Sequence, residues 1–269
     1  MEDSMADASL TFSLTGKVAL VIGGGRGIGA GIVRALAAAG ADVAVADFNA
    51  ELAQAGKAEA EALGRRGAAI VVDVRKEDSV NAMVAAVKQQ FGRLDIAVNN
   101  AGIVSLGAVG ELTVAQWDEV MSVNLRGVFL CCQAELPLMR AGGFGRIINT
   151  ASIAGKVGFP QLSHYSATKF GVIGFTNAFA KEVAQEGITV NALCPGIVGT
   201  GMWRGEAGLS GRWAQEGETE EASWERHQKT FLPQGEAQTP EDMGQLVVYL
   251  ACAPHVTGQA IAVDGGFSL

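Results

Sequence analysis

A five-residue apolar run, Val18–Ile22, passes directly into Gly23-Gly24-Gly25-Arg26-Gly27-Ile28-Gly29, and a helical pattern follows. A strand that becomes a helix through a string of glycines is the arrangement that most restricts this chain. Glycine lets the backbone turn sharply and lets main-chain N–H groups approach a ligand, while the helix N-terminus beyond it favours negative charge. A pyrophosphate suits such a turn. A glycine string also suits an ordinary strand-to-helix turn, so its surroundings decide. The second apolar run ends at Asp47, 18 residues beyond Gly29, where a carboxylate can accept hydrogen bonds from ribose hydroxyls.

The alternation continues along the chain. Strands are expected at Val18–Ile22, Asp42–Ala46, Ala69–Val72, Ile96–Asn99, Arg146–Thr150, Thr189–Cys194 and Ala260–Val263. Between them lie helix-length segments such as Ile28–Ala39, Asp78–Phe91, Trp117–Met139, His164–Gln185 and Glu241–Ala251. Strands alternating with helices predict an α/β fold: a doubly wound, parallel, seven-stranded sheet. One domain is expected over residues 14–269, behind an N-terminal tail at 1–13. Thr113 and Gln116 have the spacing of a capping box, and Thr239-Pro240 supplies an N-cap with proline at the first helical position.

Composition narrows the class. With 49% hydrophobic and 18% charged residues the chain can bury a core. Its 36 glycines come with only 6 prolines and no three-residue period, which excludes collagen and a Pro/Gly linker. A net charge of −8 repels polyphosphate, so nucleic acid is not an expected partner. Cys131, Cys132, Cys194 and Cys252 show neither metal-ligand nor disulfide-framework spacing, and a reduced, cytoplasmic protein is the reading. Residues 1–9 lack the features of a signal peptide. Met243–Val263 is free of Asp, Glu, Lys and Arg, but Gln245, Pro254, His255 and Gln259 interrupt it; a helix followed by a strand is expected there, not a membrane span.

Residues 199–236 break the rhythm. They are rich in Gly and Glu yet hold Trp203, Trp213, Trp224, His227 and Phe231. A polar segment with anchored aromatics reads as a substrate-binding lid, or as a surface excursion packed on a neighbouring subunit. The acidic run Glu216–Glu225 within it reads as a solvated face.

Tyr165 and Lys169 are four apart on an expected helix and so share a face. A phenol titrates near 10, and a neighbouring ammonium would favour phenolate. Lowering it to about 7 requires about 4 kcal/mol. Adjacent His164 points elsewhere on the helix and reads as a flank or rim residue. His227 and His255 have no partners at metal spacing, and Cys131-Cys132 reads as buried helix surface.

In their order, the glycine turn, Asn99-Asn100-Ala101-Gly102, Ser152, Tyr165-x-x-x-Lys169 and Pro195-Gly196-Ile197-Val198-Gly199-Thr200 resemble the short-chain dehydrogenase/reductase family, in its single-domain branch, from Leu14 to Gly266. The resemblance implies a Rossmann fold and a catalytic tetrad. In it Tyr165 is the general acid/base and Ser152 holds the substrate oxygen. Lys169 lowers the tyrosine pKa, and Asn124 maintains a proton path to solvent. It implies cofactor contacts from Gly23, Arg26, Gly27, Ile28 and Gly29 at the pyrophosphate, Asp47 and Phe48 at the ribose, and Asp73 and Val74 at the adenine. Asn100, Ala101, Gly102, Tyr165, Lys169, Pro195, Gly196, Val198 and Thr200 would line the nicotinamide half. One departure is Ile22, where the family usually carries a threonine that braces the turn.

Asp47 would repel the 2′-phosphate of NADP, Arg26 could offset it, and Phe48 and Asn49 add no second cation; NAD is the expected cofactor. The stretches Pro195–Trp203 and Val256–Gly266 look most like acetoin/2,3-butanediol and sugar-alcohol dehydrogenases. Ser152, Ile153, Met202 and Trp203 are the expected substrate contacts, and the apolar character of the last three leaves a bulkier secondary alcohol open. The competing readings are a 3-oxoacyl thioester reductase using NADPH and a non-catalytic dinucleotide-binding sensor. By resemblance, the assembly is a homotetramer.

Overall fold

The computed structural model describes residues 12–269. Of the tail expected at 1–13, only Phe12 and Ser13 fall inside that range. The seven strands are β1 (Val18–Ile22), β2 (Asp42–Asp47), β3 (Gly67–Val71), β4 (Ile96–Asn99), β5 (Gly145–Thr150), β6 (Ile188–Pro195) and β7 (Ala260–Val263). They form one sheet in the order β3-β2-β1-β4-β5-β6-β7, with every neighbouring pair parallel. The chain winds outward from β1 to β3, then crosses to β4 and winds outward the other way. Ligands bind such sheets in the crevice beyond the strand C-termini, where the winding reverses.

The helices among the described residues are α1 (Gly27–Ala38), α2 (Ala50–Ala62), α3 (Glu77–Phe91), α4 (Val114–Met121), α5 (Gly127–Gly142), α6 (Ser163–Val183), α7 (Leu209–Arg212), α8 (Glu220–Phe231) and α9 (Pro240–Cys252). Alternate strand residues feed two cores. Leu20, Ile22, Ala44 and Ile147 meet Met83, Val128, Cys131, Val172 and Phe179 from α3, α5 and α6. Val21, Val43, Val45, Ile148 and Leu193 meet Ile32, Leu36, Met243, Val247 and Leu250 from α1 and α9. Strands buried on both faces have no polar side, so β1 reads as an apolar run rather than an alternating one. Each Val, Leu or Ile so buried contributes about 1.5–3 kcal/mol against the entropy of ordering the chain.

Several local outcomes differ from the sequence reading: β3, expected at Ala69–Val72, starts two residues earlier and ends at Val71, and β6 extends one residue beyond Thr189–Cys194 at each end. Helix α2 was not among the expected helices, because the face it buries is Ala53, Gly56 and Ala60, which makes no apolar stripe. Asn49 starts it by accepting hydrogen bonds from the N–H groups of Glu51 and Leu52. The long helix expected at Trp117–Met139 begins earlier, at Val114 behind the Thr113–Gln116 capping box, and ends at Gly142. Between α4 and α5 it widens into a π-helical turn, Ser122–Arg126, which carries the fully buried Asn124.

Segment 199–236 folds into α7 and α8 around buried Trp224 and Leu232. Its acidic run is not a simple solvated face. Arg226 binds Glu218 at 2.8 Å through both Nε and a terminal nitrogen, and Arg204 pairs with Glu220 and Glu221. The Arg226 guanidinium holds the Glu218 carboxyl down at about 2.

Candidate active site

The glycine turn leaves β1 at the point where the sheet winding reverses. Gly23 adopts φ +73°, and a Cβ there would lie 2.9 Å from the Ala101 backbone. A Cβ on Gly29 would lie 1.9 Å from the Gly23 carbonyl, so only glycine allows α1 to start this close to β1. Asn100 replaces the brace that Ile22 cannot give. Its side-chain amide donates to the Gly23 carbonyl at 3.0 Å and its backbone N–H to the Ile22 carbonyl at 3.1 Å.

Helix α1, like α3, α6 and α7, has no side-chain cap, whereas Asn49, Thr113, Thr219 and Thr239 cap α2, α4, α8 and α9. The first-turn amides of α1 therefore keep their donors for something else. At the end of β2, Asp47 accepts from Gly25 N–H at 3.2 Å and from Asn49 N–H at 3.1 Å. Asp73 is engaged by Arg75 at 2.8 Å, which lowers its pKa, and the Arg75 guanidinium lies 5.7 Å from the Phe48 ring.

The other half of the cleft is built on β5 and α6. Thr150 ends β5, and Ser152 follows in extended conformation, accepting from Ala154 N–H at 3.1 Å. Tyr165 and Lys169 lie on the buried face of α6. Lys169 donates from Nζ to the Thr150 carbonyl at 2.8 Å, and the same Nζ is 5.5 Å from the Tyr165 ring centroid. Burial pushes the Tyr165 phenol up to about 12, partly offset by the nearby Ser152 hydroxyl. Burial also brings the Lys169 ammonium down to about 8. Asn124 approaches from behind: its Oδ1 accepts from Ile103 N–H at 2.9 Å and its Nδ2 donates to the Ile103 carbonyl at 2.8 Å.

These residues surround one cleft of about 820 Å³. Gly23, Arg26, Gly27, Ile28, Asp47, Phe48, Asp73, Val74, Asn100, Ala101, Gly102, Pro195, Gly196, Val198 and Thr200 line it, as do Ser152, Ile153, Tyr165, Lys169, Met202 and Trp203. Gly29 and Asn124 stand behind the lining. The first is set by helix-to-strand packing, the second by its bonds to Ile103. His164 is not a rim residue: it is fully buried, with Nε2 2.7 Å from Ser105 Oγ, and burial lowers its pKa. Sequence reasoning missed Val104, Phe159, Leu162, Leu209, Arg212, Trp213, Phe231 and Phe267 as lining residues. The aromatic content of 199–236 was a signal for Trp213 and Phe231; nothing local marks Phe159 or Phe267. No group of metal-binding side chains occurs among the described residues.

Residues 17–207 match the short chain dehydrogenase family. The chain belongs to that family. Among short-chain dehydrogenases it is 38% identical, over 95% of its length and 98% of the relative's, to a 2,5-dichloro-2,5-cyclohexadiene-1,4-diol dehydrogenase of Sphingobium indicum. It is also 38% identical to the D-threitol dehydrogenase of Mycolicibacterium smegmatis, covering 96% of this chain and 95% of that one. The crystal structure of a short-chain type dehydrogenase/reductase from Mycobacterium marinum superposes with a TM-score of 0.86 at 33% identity, covering 96% and 98% of the two chains. This short-chain dehydrogenase is thus an oxidoreductase of alcohol- or ketone-type substrates that uses a nicotinamide dinucleotide. None of its helices among the described residues is long and apolar enough to cross a membrane.

Proposed function

We propose that this short-chain dehydrogenase transfers a hydride between NAD(H) and a secondary alcohol or ketone, with Tyr165 as general acid and base. The observation that carries the reading is the meeting of Ser152, Tyr165 and Lys169 in a cleft whose other end holds Asp47 and the uncapped start of α1. That second end fits a dinucleotide: free helix amides suit a pyrophosphate, and a carboxylate that accepts only two backbone N–H bonds has lone pairs left for ribose hydroxyls.

When bound, the nicotinamide ring supplies the hydride exchange and, in its oxidised form, a positive charge. The chain's own residues handle the proton. Ser152 Oγ donates a hydrogen bond to the substrate oxygen, and the Tyr165 phenol gives that oxygen a proton or takes one from it. Lys169, fixed on the Thr150 carbonyl, keeps an ammonium near the phenol. Burial alone opposes phenolate here: moving the phenol from about 12 to about 7 requires roughly 7 kcal/mol. Tyr165 therefore becomes an effective base only in the loaded site. Asn124 maintains a path for protons through the Ile103 backbone it holds.

NAD is favoured over NADP because the Asp47 carboxylate would repel a 2′-phosphate bound beside it, and Arg75, 5.7 Å from the Phe48 ring, is neutralised by Asp73. Arg26 remains without an acidic partner among the described residues. A 3-oxoacyl thioester reductase is less well supported, since Asp47 and a net charge of −8 suit neither NADPH nor an acidic carrier. A silent sensor would have no use for the Ser152–Tyr165–Lys169 arrangement. Segment 199–236 acts as the lid. Exposed Trp117, Phe129 and Phe170 on α4–α6 supply an apolar face for assembly into a homotetramer, and four unpaired cysteines suit the cytoplasm.

The test is to follow reduced-cofactor absorbance with NAD or NADP and a panel of secondary alcohols. Turnover with NAD is expected. Turnover with NADP alone would overturn the cofactor assignment, and tight NAD binding without turnover of any alcohol or ketone would favour the sensor.

A further inference from the structure

The chain is poor in aromatic residues, with 11 Phe, 4 Trp and 2 Tyr in 269 positions. Six of them are gathered at one end of the cleft. Trp203 packs edge-on against Trp213 at 5.8 Å between centroids and lies 6.2 Å from Trp224. His227 bridges this group to Phe231, stacking on it at 5.4 Å. Phe231 meets Phe267 at 5.8 Å, and Phe267 meets Phe159 at 5.4 Å. The rings form a continuous arc from three separate stretches of chain: the segment after β5, the lid, and the C-terminal tail. Five of them, Phe159, Trp203, Trp213, Phe231 and Phe267, face the cleft. Trp224 and His227 back the arc, both almost fully buried.

The polar groups at this end are few. Ser152 and Tyr165 are committed to the reacting oxygen, and Arg212 is exposed at the rim. Ile153 and Met202 complete an apolar surface. A hydroxyl buried on such a surface without a partner costs one to two orders of magnitude in affinity. A polyol would bury several. A flat ring, by contrast, meets other rings in the edge-to-face and offset geometries that aromatic side chains favour.

We infer that the arc selects the substrate: a ketone or secondary alcohol whose carbon skeleton is an apolar ring system, uncharged and without further hydroxyl groups. The inference rests on the dehydrogenase reading for its reacting group and on the arc for the rest of the molecule. Phe159, Trp203 and Phe267 are its specificity-determining residues.

The experiment compares 2-tetralone and cyclohexanone with acetoin and threitol, with NADH or NADPH for ketones and NAD or NADP for alcohols. Expected is a kcat/KM for 2-tetralone at least about a hundredfold above that for acetoin. Phe159→Leu, Phe267→Leu and Trp203→Leu should each lower the ratio of kcat/KM for 2-tetralone to that for acetoin by about tenfold; Trp203→Phe, which keeps a ring, should fall between. Acetoin or threitol preferred over 2-tetralone, or a ring preference unchanged in all the leucine variants, overturns the inference. A second arm titrates each compound by quenching of tryptophan fluorescence and needs no turnover. Saturable quenching by 2-tetralone but not threitol supports the arc even if no compound reacts, in which case the dehydrogenase reading alone fails. The reverse order of binding overturns the arc even if catalysis is found.

Discussion

The Lys169 ammonium donates a 2.8 Å hydrogen bond to the Thr150 carbonyl, so the helix carrying Tyr165 is tied to the strand end that leads into Ser152. Lys169→Met removes both the tie and the charge. Alcohol oxidation should lose at least about a hundredfold in kcat/KM, and the pH at which its rising limb appears should move upward, because the phenol burial already holds near 12 loses its cationic neighbour. A profile that keeps its midpoint in the variant would remove Lys169 from the tuning of Tyr165.

Tyr165→Phe keeps the ring and deletes the hydroxyl proposed to carry the proton. Turnover should drop by about a thousandfold or more, with NAD affinity within about twofold of wild type by fluorescence titration. The wild-type rate of oxidation should rise with pH as the phenol ionises in the loaded site. Retained turnover in the phenylalanine variant would take tyrosine out of the mechanism.

At the other end of the cleft, Asp47→Ala removes a carboxylate that braces Gly25 and Asn49. The ratio of kcat/KM for NADP to that for NAD should rise by about tenfold or more, which corresponds to relief of a repulsion of about 1.4 kcal/mol. An unchanged ratio would sink the ribose assignment.

Glu135 lies fully buried on α5. Its carboxylate accepts from Asn99 Nδ2 at 3.3 Å through Oε2, and its Oε1 has no partner among the described residues. Burial pushes its pKa up to about 8 from an ordinary 4.5. A raised native pKa means the neutral acid is the compatible form: its contribution is intact below about pH 4.5 and is lost as pH rises through about 8. Glu135→Gln cannot ionise, so urea midpoints measured at pH 5.5 and 8.5 should fall for wild type and fall less for the variant. The difference should be on the order of a few kcal/mol. Parallel midpoints would show that Glu135 keeps its charge at no cost.

Arg226 joins α8 to Glu218 and to the Trp213 carbonyl, at 2.8 and 3.0 Å. Arg226→Met should loosen the proposed lid, raising the KM for the alcohol severalfold while leaving NAD affinity unchanged. An unchanged KM would mean that the segment keeps its place without this pair.

What could be read in the sequence follows how local the physical signal was. Strands β1, β4 and β7 were placed to the residue, because each is a short apolar run between glycines and polar turns. That the glycine turn and Asp47 would share one cleft was legible for a related reason: they belong to one strand–helix–strand unit. Helix α2 stayed hidden because Ala53, Gly56 and Ala60 bury little apolar surface. His164 was misplaced because adjacency on a helix says nothing of what packs over it, here Ser105. The aromatic arc was only half visible, since Phe159 and Phe267 are more than a hundred residues apart and meet only once the sheet has brought β5 and β7 to the same side of the molecule.

The widened turn at Ser122–Arg126 has a consequence for how this protein can change. It inserts a phase shift into an otherwise continuous rod, so that Val120 serves the apolar cluster around Tyr165 while Val128, Cys131 and Cys132 serve the sheet. Deleting one residue from that turn would leave a more regular helix and a worse protein, because the two halves would then compete for a single orientation. Length here is specified to one residue, in a stretch where the sequence shows only an unbroken helix.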